Sequence, residues 1–146
     1  GAQVVISGAP MQNRKTVEKA LANFADPLKR DRYFELYSPD IVLHGYEGVG
    51  PGIEAVKQYY TSFWLAFPDA RVVPDDIIEA DDKVVVRFTL TGTHRGIFLG
   101  IDGTQKPVQV SGMTILRFEK EHCVERWSVT NSLSLAAQLG LFPPKK

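Results

Sequence analysis

The 146-residue chain carries 17 Lys and Arg against 17 Asp and Glu, and 44% of its residues are hydrophobic. This composition fits one globular domain and argues against nucleic-acid binding, because a neutral chain offers no basic field to a phosphate backbone. Membrane spanning is disfavoured too, since no apolar run approaches the roughly 20 residues that a spanning helix needs. The single cysteine, Cys123, excludes an internal disulfide, and the N-terminal stretch does not resemble a signal peptide, so we expect a cytoplasmic protein.

The first part of the chain is predicted to be helical. Apolar residues recur from Val17 to Phe24 with the i, i+3, i+4, i+7 spacing of one helix face. Asp26-Pro27 ends this helix and can begin a second one, which stops near Ser38-Pro39. We expect residues 1–12 to form a flexible N-terminal extension and residues 13–142 to form a single domain.

Residues 40–46 alternate in polarity and predict a short strand, with His44 and Tyr46 on the same face. A glycine-rich loop follows and leads into a helix with a broad apolar stripe. Trp64 and Phe67 lie at the end of this stripe, where they either form the floor of a pocket or belong to the core.

The second half of the chain is predicted to be β-structure, with strands over 71–79, 84–94, 108–118 and 123–130, and a final helix over 132–139. Pro74 requires its strand to be an edge strand or to contain a bulge. Successive strands without intervening helices indicate an α+β fold. A curved antiparallel sheet wrapped around the N-terminal helices would form a cone that encloses a pocket.

Four segments in order carry a more specific pattern. They are Asp40-Ile41-Val42-Leu43-His44-Gly45, Phe67-Pro68-Asp69, the run from Gly92 to Gly100, and Glu125-Arg126-Trp127 followed by Gln138-Leu139-Gly140. Together they resemble the SnoaL-like polyketide cyclases of the nuclear-transport-factor-2-like superfamily, and the resemblance extends from about residue 14 to residue 142.

This resemblance implies a cone-shaped α+β barrel with a deep apolar pocket for a hydrophobic small molecule, and a homodimer formed through the sheet. It also implies acid–base chemistry on a carbonyl compound without a cofactor: cyclisation, isomerisation, dehydration or hydration. The three histidines have no close pairing, so the sequence predicts no metal site.

The chain departs from the family at the residues that matter for catalysis. The family pattern Trp-Asp-x-x-Asp is replaced here by Trp127, Ser128 and Asn131, and Thr114 stands near the position of the family's assisting histidine. A hydroxyl of ordinary pKa cannot replace a carboxylate as a base near pH 7. A non-catalytic small-molecule binding protein is therefore the alternative hypothesis, and a protein-interaction domain that uses the outer sheet face is a third.

Which face of the last strand points inward stays open. Glu125, Trp127 and Asn131 share one face, whereas Ser128 and Arg126 share the other. Asn131 also lies where it could cap the last helix, and His94 could bond a loop rather than a ligand. The catalytic candidates are His44, Glu125, Asn131 and Ser128, and the ligand-binding candidates are Tyr46, Trp64, Phe67, His94, Thr114 and Trp127.

Overall fold

A computed structural model describes residues 9–142, which fold into four α-helices and one five-stranded sheet. The helices are α1 (Ala9–Ala25), α2 (Arg30–Tyr33), α3 (Ile53–Ala66) and α4 (Ser132–Gln138), with a 3-10 helix (Phe34–Leu36) after α2. The strands are β1 (Tyr37–His44), β2 (Arg71–Ala80), β3 (Lys83–Thr93), β4 (Pro107–Glu119) and β5 (His122–Thr130). Of the predicted N-terminal extension, residues 9–12 belong to α1, and residues 1–8 lie outside the described part of the chain.

The strands are ordered β1-β5-β4-β3-β2 across the sheet. From β2 to β5 they form the antiparallel meander that the short turns of the sequence predict. β1 instead runs parallel to β5, with Val42 opposite Glu125 and His44 opposite Trp127. The sheet is therefore mixed rather than wholly antiparallel. Because β1 leads into α3 and not into a hairpin, no tight turn requires β1 to run antiparallel to its neighbour. The predicted α+β class is confirmed.

Pro74 lies where the sequence requires it. Its strand, β2, is an edge of the sheet, and the pairing register with β3 shifts between Pro74 and Asp76. Proline has no N–H to donate to a ladder, so an edge position with a bulge accommodates it without an unsatisfied partner.

One face of the sheet packs against the helices and forms the core. Val84, Val86 and Phe88 of β3 and Leu116 of β4 are buried on this face. An aromatic cluster from α1, α2 and α3 covers them, and Phe24 contributes edge-on contacts to it. The other face of the sheet, which we call the outer face, exposes Met113, Ile115 and Val129. Within residues 9–142, no helix combines the length and the apolarity needed to cross a bilayer.

Candidate functional site

A cavity of about 110 Å³ lies between the helices and the inner face of the sheet. Most of its wall is apolar and comes from α1, α3 and the middle strands, with Phe24, Phe63, Phe88 and Leu90 among the lining residues. This volume is below the roughly 150 Å³ of an apolar cavity that holds a benzene molecule, but the cavity is not closed off, so part of a ring-sized ligand can extend from it. Its wall also carries a group of polar side chains, and these give the cavity its chemistry.

Arg126 of β5 is the only charged residue in the described lining of the cavity, and its side chain is buried. Its Nε donates a hydrogen bond to the Thr114 hydroxyl oxygen at 2.9 Å. Its Nη1 donates to the hydroxyls of Tyr33 at 3.0 Å and Tyr60 at 3.3 Å, and to that of Tyr37. The guanidinium is therefore held in place by neutral hydroxyl groups from β4, α2, β1 and α3.

The guanidinium has no counterion in the cavity, because the described lining contains no carboxylate. Arginine stays protonated in proteins, so a full positive charge is buried here at a desolvation cost of several kcal/mol. The hydrogen bonds to hydroxyls offset part of this cost, as does the ring of Tyr46, whose centroid lies 5.8 Å from the guanidinium carbon.

The tyrosines around Arg126 are neutral hydrogen-bonding groups rather than counterions. Burial raises the pKa of the Tyr33, Tyr37 and Tyr60 hydroxyls, and the nearby Arg126 charge opposes this shift without cancelling it. Burial also raises the pKa of Tyr59 to about 12. No tyrosine of this group supplies a negative charge near pH 7, so the cavity is electropositive at its polar side.

Ser128 and Tyr46 extend this hydroxyl network along the cavity wall. The Ser128 hydroxyl oxygen lies 2.8 Å from that of Thr114 and 3.0 Å from that of Tyr46. Thr114 donates its own proton to the Trp127 carbonyl oxygen at 2.8 Å. Three of the predicted site residues, Tyr46, Thr114 and Ser128, thus lie together beside Arg126.

Tyr46 reaches the cavity because strand alternation stops before it. We predicted that His44 and Tyr46 share a face, but β1 ends at His44, and Gly45 adopts a positive φ of 87°. This left-handed conformation, which glycine adopts without strain, redirects the chain. Tyr46 therefore points inward, whereas His44 lies on the outer face.

The outer face holds a second group of predicted site residues. His44 Nε2 donates to Glu125 Oε2 at 2.8 Å, and the His44 ring stacks on Trp127 with centroids 5.3 Å apart. Arg117 also pairs with Glu125, at 3.1 Å. The hydrogen bond from His44 first, and then the contacts from Arg117, lower the pKa of Glu125.

The placement of His44, Glu125 and Trp127 corrects the expectation that they line the cavity. Parallel pairing of β1 with β5 sets His44 directly opposite Trp127, so their side chains share one face of the sheet. That face points away from the helices. Of the two orientations that alternation allows for β5, the structure has the one with Arg126 and Ser128 inside.

Asn131 is exposed, caps α4 and does not line the cavity. Its side-chain oxygen accepts a hydrogen bond from the Ser134 backbone N–H at 3.1 Å, which satisfies one of the free amides at the helix start. Gly140 has a positive φ of 88° directly after the last turn of α4, as its predicted position at the helix end requires.

His94, Phe67 and Trp64 also lie outside the cavity lining. His94 is fully buried and packs on Phe67, and its Nδ1 accepts a hydrogen bond from the Thr104 backbone N–H at 3.2 Å. It therefore fixes the loop between β3 and β4. Trp64 packs in the aromatic cluster, with the Arg30 guanidinium carbon 5.1 Å from its ring centroid.

Tyr33, Tyr37 and Tyr60, which contact Arg126, are residues of the candidate site that were not among the sequence candidates. Tyr37 ends the predicted second helix and Tyr60 falls on the apolar stripe of α3, so periodicity assigns both to the core. Tyr33 and Tyr37 are four residues apart, and the hydroxyls of this pair lie 2.6 Å from each other. Such closely spaced tyrosines, together with an arginine on a buried strand, are the pattern that could have identified the site. Within the described residues, no group of three or more His, Cys, Asp or Glu is placed to hold a metal ion.

Comparisons with known proteins give a consistent family and fold. The profile described as SnoaL-like polyketide cyclase matches residues 15–139. AclR from Streptomyces galilaeus, a candidate hydroxylase, is 27% identical with a TM-score of 0.81, over 92% of this chain and 99% of that one. A SnoaL-like polyketide cyclase candidate from Jannaschia sp. CCS1 is 25% identical with a TM-score of 0.81, over 98% and 100% of the two chains. IdmH from Streptomyces antibioticus, a candidate polyketide cyclase, is 26% identical with a TM-score of 0.74, over 88% and 99%. No protein of curated function matches the chain.

Proposed function

The chain belongs to the SnoaL-like polyketide cyclase family, and from this premise we propose that it is a cofactor-independent enzyme acting on a hydrophobic carbonyl compound in the cavity. The observation that carries the proposal is the Arg126 guanidinium, which is buried in the cavity wall and held by hydroxyls on Nε and Nη1. Such a preorganised cation stabilises negative charge that develops on a carbonyl oxygen.

The proposed chemistry begins with the loss of a proton from the carbon next to a carbonyl group. The carbonyl oxygen accepts a hydrogen bond from Arg126, whose charge stabilises the enolate that forms. In a cyclisation, the enolate carbon attacks a second carbonyl carbon, and the electrons of that double bond move to its oxygen. A proton returned to this alkoxide completes the step, and no redox change occurs.

The Ser128 and Tyr46 hydroxyls are suited to deliver that proton, because their oxygens lie 3.0 Å apart in the cavity wall, whereas the Thr114 proton is donated to the Trp127 carbonyl. They are not suited to remove the first proton as strong bases, since burial raises the pKa of Tyr46 and a serine hydroxyl is not ionised near neutral pH. We therefore assign the acceleration to Arg126, with water as the proton acceptor. Isomerisation, dehydration and hydration pass through the same kind of oxyanion.

The experiment that tests this proposal is the exchange of α-protons of acetophenone for deuterium, followed by NMR. Removing one preorganised oxyanion donor costs about 10²–10³ in rate in other enzymes. We expect a loss of this order for Arg126→Gln and no change for Arg117→Gln, the matched variant on the outer face. Exchange no faster than in buffer alone would contradict the proposal.

The absence of a carboxylate and an imidazole from the described lining of the cavity favours a second candidate, a non-catalytic small-molecule binding protein. This hypothesis predicts that acetophenone binds without exchange. It also predicts that Ser128→Asp, which places a carboxylate at the family's first acidic position, creates exchange activity that the natural chain lacks. Asn131→Asp is the control, because residue 131 caps α4 away from the cavity.

For the outer face we propose a second copy of this chain as the partner, which gives a homodimer. Met113, Ile115 and Val129 are exposed there on adjacent strands, and such apolar contacts typically form interface centres. Sedimentation equilibrium is expected to give a dimer that dissociates in Ile115→Lys. A natural chain that is monomeric would contradict the homodimer. The outer face would then be available to a different protein.

A further inference from the structure

We propose that the natural ligand of the cavity carries a carboxylate, and that Nη2 of Arg126 is the atom that pairs with it. This inference rests on the proposed function, because it names the substrate class of the same site: a small hydrophobic carbonyl compound that also bears a carboxylate, rather than a neutral ketone or ester. It follows from three features of the cavity, namely its hydrogen-bond donors, its charge and its shape.

The polar side of the cavity leaves one donor group of Arg126 without a partner among the described residues. Arg126 has five N–H groups, of which Nε and Nη1 are engaged, whereas Nη2 makes no hydrogen bond to another described residue. The groups that accept around it are hydroxyls, and each hydroxyl brings a proton of its own. Thr114 donates its proton to the Trp127 carbonyl. The remaining donors need an acceptor-only group, and a carboxylate is one.

The charge of the cavity favours the same class of ligand. The guanidinium is buried among neutral hydroxyls, and the carboxylate of Glu125 projects from the opposite face of the sheet to His44 and Arg117. A buried charge without a counterion is unfavourable, and an anion brought into hydrogen-bonding distance relieves it. A neutral carbonyl compound would accept the same hydrogen bond but would leave the positive charge uncompensated.

The shape of the cavity defines the rest of the ligand. Beyond Arg126 the wall is aromatic and aliphatic, with Phe24, Phe63 and Leu90 on it, and the volume is about 110 Å³. This space has an apolar wall and therefore suits a small hydrophobic group beside the ion pair. A charge-assisted hydrogen bond in such an environment is stronger than one between neutral groups.

Benzoate and benzamide test the inference, because they have the same shape and differ in charge at neutral pH. Titration calorimetry of the natural chain is expected to give a dissociation constant at least about tenfold lower for benzoate. Arg126→Lys keeps the charge and should keep the preference. In Arg126→Gln the dissociation constants of benzoate and benzamide should agree to within about twofold. In Arg117→Gln, on the outer face, the preference for benzoate should be the same as in the natural chain.

The outcomes separate this inference from the proposed function. Equal affinity for both probes in the natural chain would overturn the carboxylate preference, and exchange on acetophenone would still support the enzyme. A benzoate preference that survives in Arg126→Gln would also overturn the inference, because the anion would then bind elsewhere. If Arg126→Gln does not fold, the natural chain and Arg126→Lys decide: a benzoate preference in both supports the inference. A preference that is absent from the natural chain, or no binding of either probe, refutes it.

Discussion

The Thr114 hydroxyl oxygen accepts a hydrogen bond from Arg126 Nε at 2.9 Å while it donates one to the Trp127 carbonyl oxygen at 2.8 Å. Thr114 is almost fully buried, so neither partner can turn to bulk water. The resemblance to the family implies an assisting histidine near this position. In this chain Thr114 instead fixes the plane of the guanidinium between β4 and β5.

Thr114→Val keeps the shape of the side chain and removes its hydrogen bonds to Arg126, Trp127 and Ser128. The Arg126 Nε–H then stays buried without an acceptor, so we expect a loss of about 1–3 kcal/mol in the free energy of unfolding. Urea denaturation followed by tryptophan fluorescence measures it. Thr89→Val is the matched control, since its hydroxyl donates to Asp75 at the exposed side of β3. If the free energy of unfolding falls by the same small amount in both variants, the buried hydrogen bonds of Thr114 stabilise the fold no more than the exposed one of Thr89.

Asn131→Ala tests whether Asn131 acts as a helix cap. The variant loses the hydrogen bond to the Ser134 amide, so the free energy of unfolding should fall by about 1 kcal/mol. Asn131→Asp retains an accepting oxygen and should be close to the natural chain. Benzoate affinity, measured by calorimetry, should be unchanged in both. A variant that is stable but no longer binds would place Asn131 in the site after all.

Local patterns were sufficient to predict most of the fold. The apolar periodicity of α1 and α3, the alternation of β3 and β4, Pro74 at an edge and Gly140 after α4 each depend on neighbours in sequence. The α+β class follows from the order of these elements. The parallel alignment of β1 with β5 does not, because it pairs residues about 80 positions apart in the chain, such as Val42 with Glu125.

The site was harder to predict, because alternation along β5 defines two faces without telling which one is buried. Glu125 and Trp127 on one face and Arg126 and Ser128 on the other were therefore both candidates. In the structure the helices cover the other face, and hydroxyls contributed by α2, β1, α3 and β4 accommodate Arg126 there. The spacing of Tyr33 and Tyr37 is the local signal for this site, but only the fold brings the two tyrosines to Arg126, about 90 positions away in the chain.

Gly45 lets the end of β1 lie close to β5 beside the site. Comparing alanine variants of Gly45 and Gly48 separates this close approach from the effect of a positive φ. A Cβ at Gly45 would lie 2.1 Å from the Ser128 carbonyl oxygen, and its φ is 87°. Gly48 has a similar φ of 76°, but a Cβ there would meet nothing within 4 Å. Gly48→Ala should therefore cost only the backbone strain of about 1–3 kcal/mol. Gly45→Ala should cost clearly more, because β5 must also move.

Thermal unfolding of the two variants measures this difference, and benzoate titration reports on the site. Displacing the backbone at Ser128 should weaken benzoate binding in Gly45→Ala and leave it unchanged in Gly48→Ala. Equal melting temperatures for the two variants would mean that the contact between the β1 end and β5 is not as tight as described.

The ion pair on the outer face should contribute stability that depends on pH. The His44 hydrogen bond and Arg117 hold the pKa of Glu125 below its ordinary value of 4.5. A carboxyl with a lowered pKa in the folded state stabilises that state above the ordinary value, and the contribution is lost as pH falls through the folded-state value. Glu125→Gln should thus lower the melting temperature at pH 6, with little effect near pH 3. Glu121→Gln, in the exposed turn before β5, is the control, and a difference that persists unchanged at pH 3 would contradict the assignment.

Cys123 is expected to be an inert core thiol rather than a nucleophile. It is fully buried, and burial raises its pKa to about 11, so the thiolate that reacts with disulfide reagents is scarce at pH 8. We expect no reaction with a thiol-reactive disulfide in the native protein and stoichiometric reaction in 8 M urea. Ser62→Cys, on the exposed side of α3, supplies a second thiol that should react within minutes in the native state. Rapid labelling of Cys123 in the native chain would require that β5 opens readily, and the buried Arg126 contacts on the same strand would then open with it.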